Sequence, residues 1–185
     1  MTVPAAKTRQ AEPVDAPVLA AMIRELARYE GSDDGLNFSI DQLKSALAGD
    51  PPRLRAIIAE DVGGMKGFVT YTIDFAIWTG ADVLRVDDVF VCDSVRRKGI
   101  GRLLMTGIAE LATKRGITAR WEIEPDNLSA QRFYEGLGVK IRGKIVARWS
   151  LDEMHKLLEL VAPRLPLSLS PVPNKRHGKP SFDGH

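Results

Sequence analysis

Residues 86–104 read VDDVFVCDSVRRKGIGRLL. Two adjacent carboxylates, Asp87 and Asp88, lie in an apolar run, and four cations, Arg96, Arg97, Lys98 and Arg102, surround Gly99 and Gly101 before an amphipathic stretch begins. The apolar run reads as a strand and the amphipathic stretch as a helix. A helix entered from such a turn presents unpaired N–H groups and a partial positive charge, so its natural partner is an anion. Glycines at 99 and 101 clear side chains from the approach, and the cations add charge suited to a diphosphate or a ribose phosphate. A bare glycine pair would be read as turn-shaping and the cations as solvated surface; four cations around the pair favour the anion site. A Rossmann loop requires G-x-G-x-x-G, and Leu104 takes the place of the third glycine. A P-loop requires G-x-x-x-x-G-K-[ST], and neither the spacing nor the Lys-Ser/Thr pair occurs.

The elements that must position this turn follow from hydrophobic periodicity. DAPVLAAMIRELARYE predicts a helix with Val18, Met22, Ile23 and Leu26 inward and Asp15 as cap. SIDQLKSAL predicts a shorter helix with Ser39 as N-cap and Leu43, Ala46 and Leu47 on one face. LRAIIAE and GMKGFVTYTIDFAIW, joined by DVGG, predict an antiparallel hairpin, with LRVDDVFV as the next strand. GIGRLLMTGIAELATKRG reads as a helix stopped by Gly116, TARWEIE as a strand, DNLSAQRFYEGLG as a short helix ended by Gly138, and VKIRGKIVARWSL as a final hairpin around Gly143, before a helix from Asp152 to Leu160. This order implies an α+β (mixed α/β) fold, a sheet with helices on its faces.

The 185 residues suffice for one sizeable core, with 44% hydrophobic and 27% charged composition. A net charge of +2 lacks the basic excess of a dedicated nucleic-acid binder. The single cysteine, Cys92, excludes an intramolecular disulfide and a multi-cysteine metal site. His155, His177 and His185 are not at ligand spacing, so no metal is expected. No run is long enough to span a membrane and no apolar leader is visible, so a cytoplasmic protein is expected. The domain expected is residues 1–162. Residues 163–185, rich in Pro, Ser and basic side chains such as Lys175, Arg176 and Lys179, read as a tail or linker.

Arg96-x-x-Gly99-x-Gly101 resembles the coenzyme-A pyrophosphate signature, Q/R-x-x-G-x-G/A, of the GNAT superfamily of N-acetyltransferases. One helix and one strand later, Asn127-Leu-Ser-Ala130-Gln-Arg-Phe133-Tyr134-Glu-Gly-Leu-Gly138 resembles that superfamily's second signature, N-x-x-A-x-x-F-Y-x-x-x-G. IRELARYE, VDDVFV, RFYEGLG and the tryptophan of ARWSL resemble the spermidine/spermine-type diamine branch over about residues 8 to 160. Asp87 stands where that branch tends to have Glu, Arg97 where many members have Gly, and Val139 where an aromatic is common.

The resemblance implies a mostly antiparallel twisted sheet, acetyl-CoA as co-substrate, a primary amine as acceptor, direct transfer in a ternary complex and a homodimer. It implies coenzyme contacts from Val89, Phe90, Val91, Arg96, Arg97, Lys98, Gly99, Ile100, Gly101, Arg102, Asn127, Ala130 and Tyr134. Transfer requires a neutral amine, yet a free amine with a pKa of roughly 10 is protonated at neutral pH, so a base must act. The resemblance makes Asp87 that base or a cation anchor, Asp88 a second substrate contact and Tyr134 the acid that protonates the leaving thiolate. As strand neighbours, Asp87 and Asp88 are expected on opposite faces. Asn127 suits a helix cap, a use compatible with binding the pantetheine arm. Glu122 and Glu124 share a face, and Glu124 is placed at an acidic entrance; a plain solvated face is the alternative. Cys92 lacks a sequence-near His and is read as packing rather than as an acyl carrier. An amino acid, a drug or a protein N-terminus is an alternative acceptor, and a non-catalytic acyl-CoA sensor is an alternative function.

Overall fold

The computed structural model describes residues 6–32, 35–143 and 145–161. Five strands form one sheet in the order β1 (Lys7–Gln10), β2 (Arg55–Asp61), β3 (Gly64–Ala76), β4 (Ala81–Val91) and β5 (Thr118–Arg120). Every pairing is antiparallel except β4 with β5. The helices are α1 (Ala16–Tyr29), α2 (Ile40–Leu47), α3 (Ile100–Arg115), α4 (Leu128–Glu135) and α5 (Leu151–Val161). The expected mixed α/β sheet flanked by helices is thus present. The chain divides into two units, Met1–Ile141 and Arg142–His185. The 163–185 segment lies outside the described residues.

Strand alternation sorts the core into two layers. On one face Ile57, Ala59, Val69, Tyr71, Leu84 and Val86 pack with Ile100, Leu104, Met105, Ile108 and Ala112 of α3. On the other, Ala56, Ile58, Phe68 and Phe90 pack with Ala16, Leu19, Ala20 and Met22 of α1 and Leu43 and Leu47 of α2. Ser39 caps α2 as expected, accepting from the Gln42 N–H at 3.1 Å while Gln42 Oε1 accepts from the Ser39 N–H at 2.7 Å. In α1, Val18 is half exposed and Leu19 turns inward instead. The Asp15 side chain does not cap α1. Its carboxylate instead accepts two 2.8 Å bonds from Arg9, plus the Glu12 N–H, tying β1 to the helix. That guanidinium holds the Asp15 carboxyl below the usual carboxylate range.

Two strand expectations are corrected. TARWEIE is strand only to Arg120, because pairing with β4 ends at Arg85↔Arg120 and the chain beyond does not follow the edge of β4. Residues 139–150 contain no strand among those described, so the final hairpin around Gly143 is absent. Interrupted by Lys140, Arg142, Gly143 and Arg148, this stretch has too little apolar surface to stabilise a two-stranded hairpin on its own. In the second unit, α5 begins at a capping box in which Ser150 and Glu153 bond each other's N–H groups.

β3 and β4 approach so closely at Gly67 that a Cβ there would lie 2.5 Å from the Phe90 carbonyl oxygen. Gly67→Ala must therefore force the strands apart. It is expected to cost about 1–3 kcal/mol, read as a lowered urea midpoint at unchanged m-value.

Candidate active site

The site begins with an irregularity in β4. Val69 pairs with Val89 and Tyr71 with Val86, so two residues of β4, Asp87 and Asp88, stand opposite Thr70 alone. Such a bulge shifts side-chain alternation by one residue. Val86 and Val89, three apart, therefore both face the α3 layer, and both aspartates project to the opposite face. This corrects the expectation that the pair is split across the sheet. Thr70, only 3% exposed, fastens the bulge: its hydroxyl accepts from the Asp88 N–H at 3.0 Å and donates to Asp88 Oδ2 at 2.9 Å.

Other charged groups gather on this face. Arg85 Nε donates to Asp87 Oδ1 at 3.1 Å and lies 3.9 Å from Asp74 Oδ2. The Asp87 carboxyl is raised above its ordinary value, first by burial, with the negative charge of Asp88 adding to this and Arg85 opposing it. Glu30, the residue that closes α1, is raised by burial and then by the charges of Asp88 and Glu124. Its place at a helix C-terminus is itself unfavourable for a carboxylate. Glu30, Asp88 and Glu124, from three separate parts of the chain, thus make a negative field that attracts a cation. Sequence reasoning singled out neither Glu30 nor Thr70 nor Arg85. Glu30 lay at the end of IRELARYE, and only the folded path of α1 carries it to β4.

Beyond Arg85 and Arg120 the parallel pairing stops, leaving a gap beside the second half of β4. The Cys92 N–H donates to Lys66 O at 3.0 Å. Antiparallel alternation from that bond turns the main-chain groups of Phe90 toward β3 and those of Val89 and Val91 into the gap. The Val91 carbonyl is already taken by Arg96 Nε at 3.2 Å. Arg96 also reaches Asp93 at 2.9 Å and lies over the Tyr29 ring at 4.5 Å, so this arginine braces the turn rather than standing free in it. The Phe90 side chain packs against Phe68 in the α1/α2 layer.

Gly99, at φ 89°, is the N-cap of α3, in a conformation that favours glycine. The first intrahelical bond runs from the Leu103 N–H to Gly99 O, so the N–H groups of Ile100, Gly101 and Arg102 precede the helical ladder and are available to an anion. The Ile100 side chain is buried. Gly101 has a second reason to be glycine: a Cβ there would meet Phe133 at 3.3 Å. Arg97 adopts φ 60°, the left-handed region that favours glycine. Lys98 Nζ donates to Ser94 O at 2.9 Å.

Asn127 Oδ1 accepts from the Ala130 N–H at 3.0 Å and caps α4 as expected, with Ala130 half buried against the α3 layer. One turn on, Tyr134 is 8% exposed and packed between Trp121 and Phe133, both at 5.0 Å between ring centres. Burial pushes its phenol up to about 12. Tyr134 belongs to the α3 layer and the two aspartates to the opposite face, so the gap between β4 and the chain past β5 is where the two sides meet. Burial also raises the Cys92 thiol, which keeps it protonated and a poor nucleophile. No group of three or more potential ligands placed for a metal ion occurs among the described residues, and no described helix is long and apolar enough to cross a membrane.

A strand with a bulge and an open edge, followed by a cationic turn and helix, is the arrangement of an acyl-CoA-dependent transferase. Residues 19–139 match the acetyltransferase (GNAT) family, and the chain belongs to that family as an enzyme using acetyl-CoA. It is 28% identical over 141 residues to a thialysine N-epsilon-acetyltransferase of Sus scrofa, covering 71% of this chain and 82% of that protein. It is 32% identical over 78 residues to the L-ornithine N5-acetyltransferase NATA1 of Arabidopsis thaliana, covering 42% of this chain and 34% of that protein. Among solved structures, an integron cassette protein from the mobile metagenome of V. cholerae superposes with a TM-score of 0.69 at 27% identity, covering 85% of this chain and 99% of that one.

The turn separates backbone strain from charge in one experiment. Arg97→Gly relieves the left-handed arginine and is expected to stabilise the fold by about 0.5–1 kcal/mol, while weakening acetyl-CoA binding several-fold in calorimetry. Thr70→Val leaves the Asp88 N–H unpaired and is expected to destabilise by about 1–3 kcal/mol, with a loss of kcat larger than that of acetyl-CoA affinity.

Proposed function

We propose that this protein transfers the acetyl group of acetyl-CoA to a primary amine of a small, cationic acceptor such as a diamine, a polyamine or a lysine-like molecule, by direct transfer in a ternary complex. The observation that carries the reading is the gap past Arg85 and Arg120, with the packed phenol of Tyr134 on one side of β4 and both carboxylates on the other. The N–H groups of Ile100, Gly101 and Arg102, with the side chains of Arg97, Lys98 and Arg102, hold the pyrophosphate; Gly99 sets the turn, and Arg96 fixes it to Val91. Val89 and Val91 present main-chain groups to the pantetheine arm as a neighbouring strand would, alongside Phe90 between them and Asn127 and Ala130 across the gap. The Val89 N–H polarises the acetyl carbonyl.

Asp87, its proton affinity raised by burial and by Asp88, takes the proton of the acceptor ammonium directly or through water. Asp88 and Glu124, with Glu30, hold the acceptor's positive charge. The phenol of Tyr134 gives its proton to the departing sulfur. A pKa of about 12 keeps that proton in place throughout the working range. These residues lie within 1–141, inside the catalytic domain we propose for residues 1–162. We propose a homodimer, an assembly supported by family resemblance and by the exposed Phe75, Ile77 and Trp78 at the turn end of the β3–β4 hairpin. A cytoplasmic location without membrane or nucleic-acid partners accords with the small net charge.

Release of free thiol from acetyl-CoA across a panel of amines tests the reading. Tyr134→Phe is expected to lower kcat by about 10²-fold or more with little change in acetyl-CoA affinity; unchanged turnover removes Tyr134 as the acid. Because the folded phenol is raised from 10 to about 12, the folded state holds this proton more tightly than the unfolded one. Its contribution to stability is complete below pH 10 and is lost as pH rises toward 12. The difference in urea midpoint between wild type and Tyr134→Phe is therefore expected to be constant below pH 10 and to change as pH rises from 10 toward 12, the wild type falling relative to the variant.

A further inference from the structure

Arg85 is an anomaly in a cleft that collects carboxylates. Leu84 and Val86 face the α3 layer, so Arg85 shares the aspartate face, where it stands across from Thr72 and beside Asp74. Only its Nε is engaged, at 3.1 Å from Asp87 and 3.9 Å from Asp74. Its two terminal nitrogens have no hydrogen-bond partner among the described residues, and its side chain is 51% exposed. Thr72 Oγ1, on the opposing strand, is buried without a partner. A guanidinium with a free fork binds a carboxylate through two parallel bonds. The same cation repels the second ammonium of a diamine. Asp74, itself 43% exposed, supplies the complementary negative charge beside it.

We infer, resting on the amine-acetyltransferase reading above, that Asp74 and Arg85 form a head-group subsite for the α-ammonium and α-carboxylate of a diamino acid, whose side-chain amine reaches along β4 past Asp87.

The test compares molecules that differ only in the carboxylate: lysine against 1,5-diaminopentane and ornithine against 1,4-diaminobutane, each with acetyl-CoA and the full chain. Wild type is expected to favour the diamino acid at least tenfold in kcat/KM. Arg85→Ala is expected to lower that value at least tenfold, mainly through KM, and to raise kcat/KM for the diamine by removing a repelling charge. Arg85→Lys keeps the charge without the fork and is expected to fall between. Urea midpoints identify any variant that is merely unfolded, and Asp74→Asn then serves as the second variant, with the same selective loss for the diamino acid. Preference for the diamine in wild type, or an equal loss for both acceptors in Arg85→Ala, overturns the subsite. Acetylation of other amines with neither pair turned over also overturns it, whereas no acetylation of any amine fails the broader reading instead.

Discussion

The hydroxyl of Thr70 sits opposite two residues of β4 and bonds Asp88 twice, once through its N–H and once through its carboxylate. Everything chemical about the molecule depends on that extra residue. Without it, Val86 and Asp88 would share a face and Asp88 would point into the apolar layer under α3. With it, valines 86 and 89 both fill that layer and two carboxylates stand together on the other side. Burial, with the neighbouring charge of Asp88 adding to it against Arg85, raises the proton affinity of Asp87. That shift suits the proposed role of Asp87 as a base.

The same strand solves a second problem. β4 is paired on both sides from Val83 to Arg85 and on one side after it. An unpaired edge inside a sheet leaves main-chain donors and acceptors without partners, which is unfavourable unless something else binds them. Arg96 satisfies one of these groups by folding back to Val91. Val89 keeps its groups turned into the gap, which makes it the natural strand-like contact for an extended ligand. The turn after β4 then tolerates a left-handed arginine and a left-handed glycine in order to start α3 with free N–H groups near that edge. Strain of this kind persists only where the surrounding structure holds it.

Much of this was legible from residue patterns, and the failures have a common cause. From α1 through Glu135 the order of helices and strands followed from periodicity and caps, and Ser39 and Asn127 cap as their positions indicated, whereas β1 was given no residues from the sequence. The phosphate-type turn was visible because its glycines and cations are contiguous in sequence. The bulge was not, since VDDVFV alternates no differently whether or not a residue is inserted against β3. Strand-by-strand alternation therefore placed Asp87 and Asp88 wrongly. Likewise, the apolar pattern of TARWEIE does not reveal that its pairing with β4 ends after three residues. Arg85 and Glu30 were missed because their meaning is relational: one becomes notable only beside Asp87 and the other only beside Asp88 and Glu124. Arg96, expected at the phosphate site, also bonds Val91 and Asp93 and lies over Tyr29.

The central claim is that one open edge of β4 and the helix start that follows it receive acetyl-CoA, leaving the aspartate face to the amine. Amide-resolved NMR of the full chain during titration with acetyl-CoA examines it directly. The account predicts the largest, saturable shifts at Val89 and at Ile100, Gly101 and Arg102, with Thr70 and Asp88 responding afterwards to an added amine. Saturable shifts confined to other surfaces, with Val89 and the start of α3 unmoved, would contradict it.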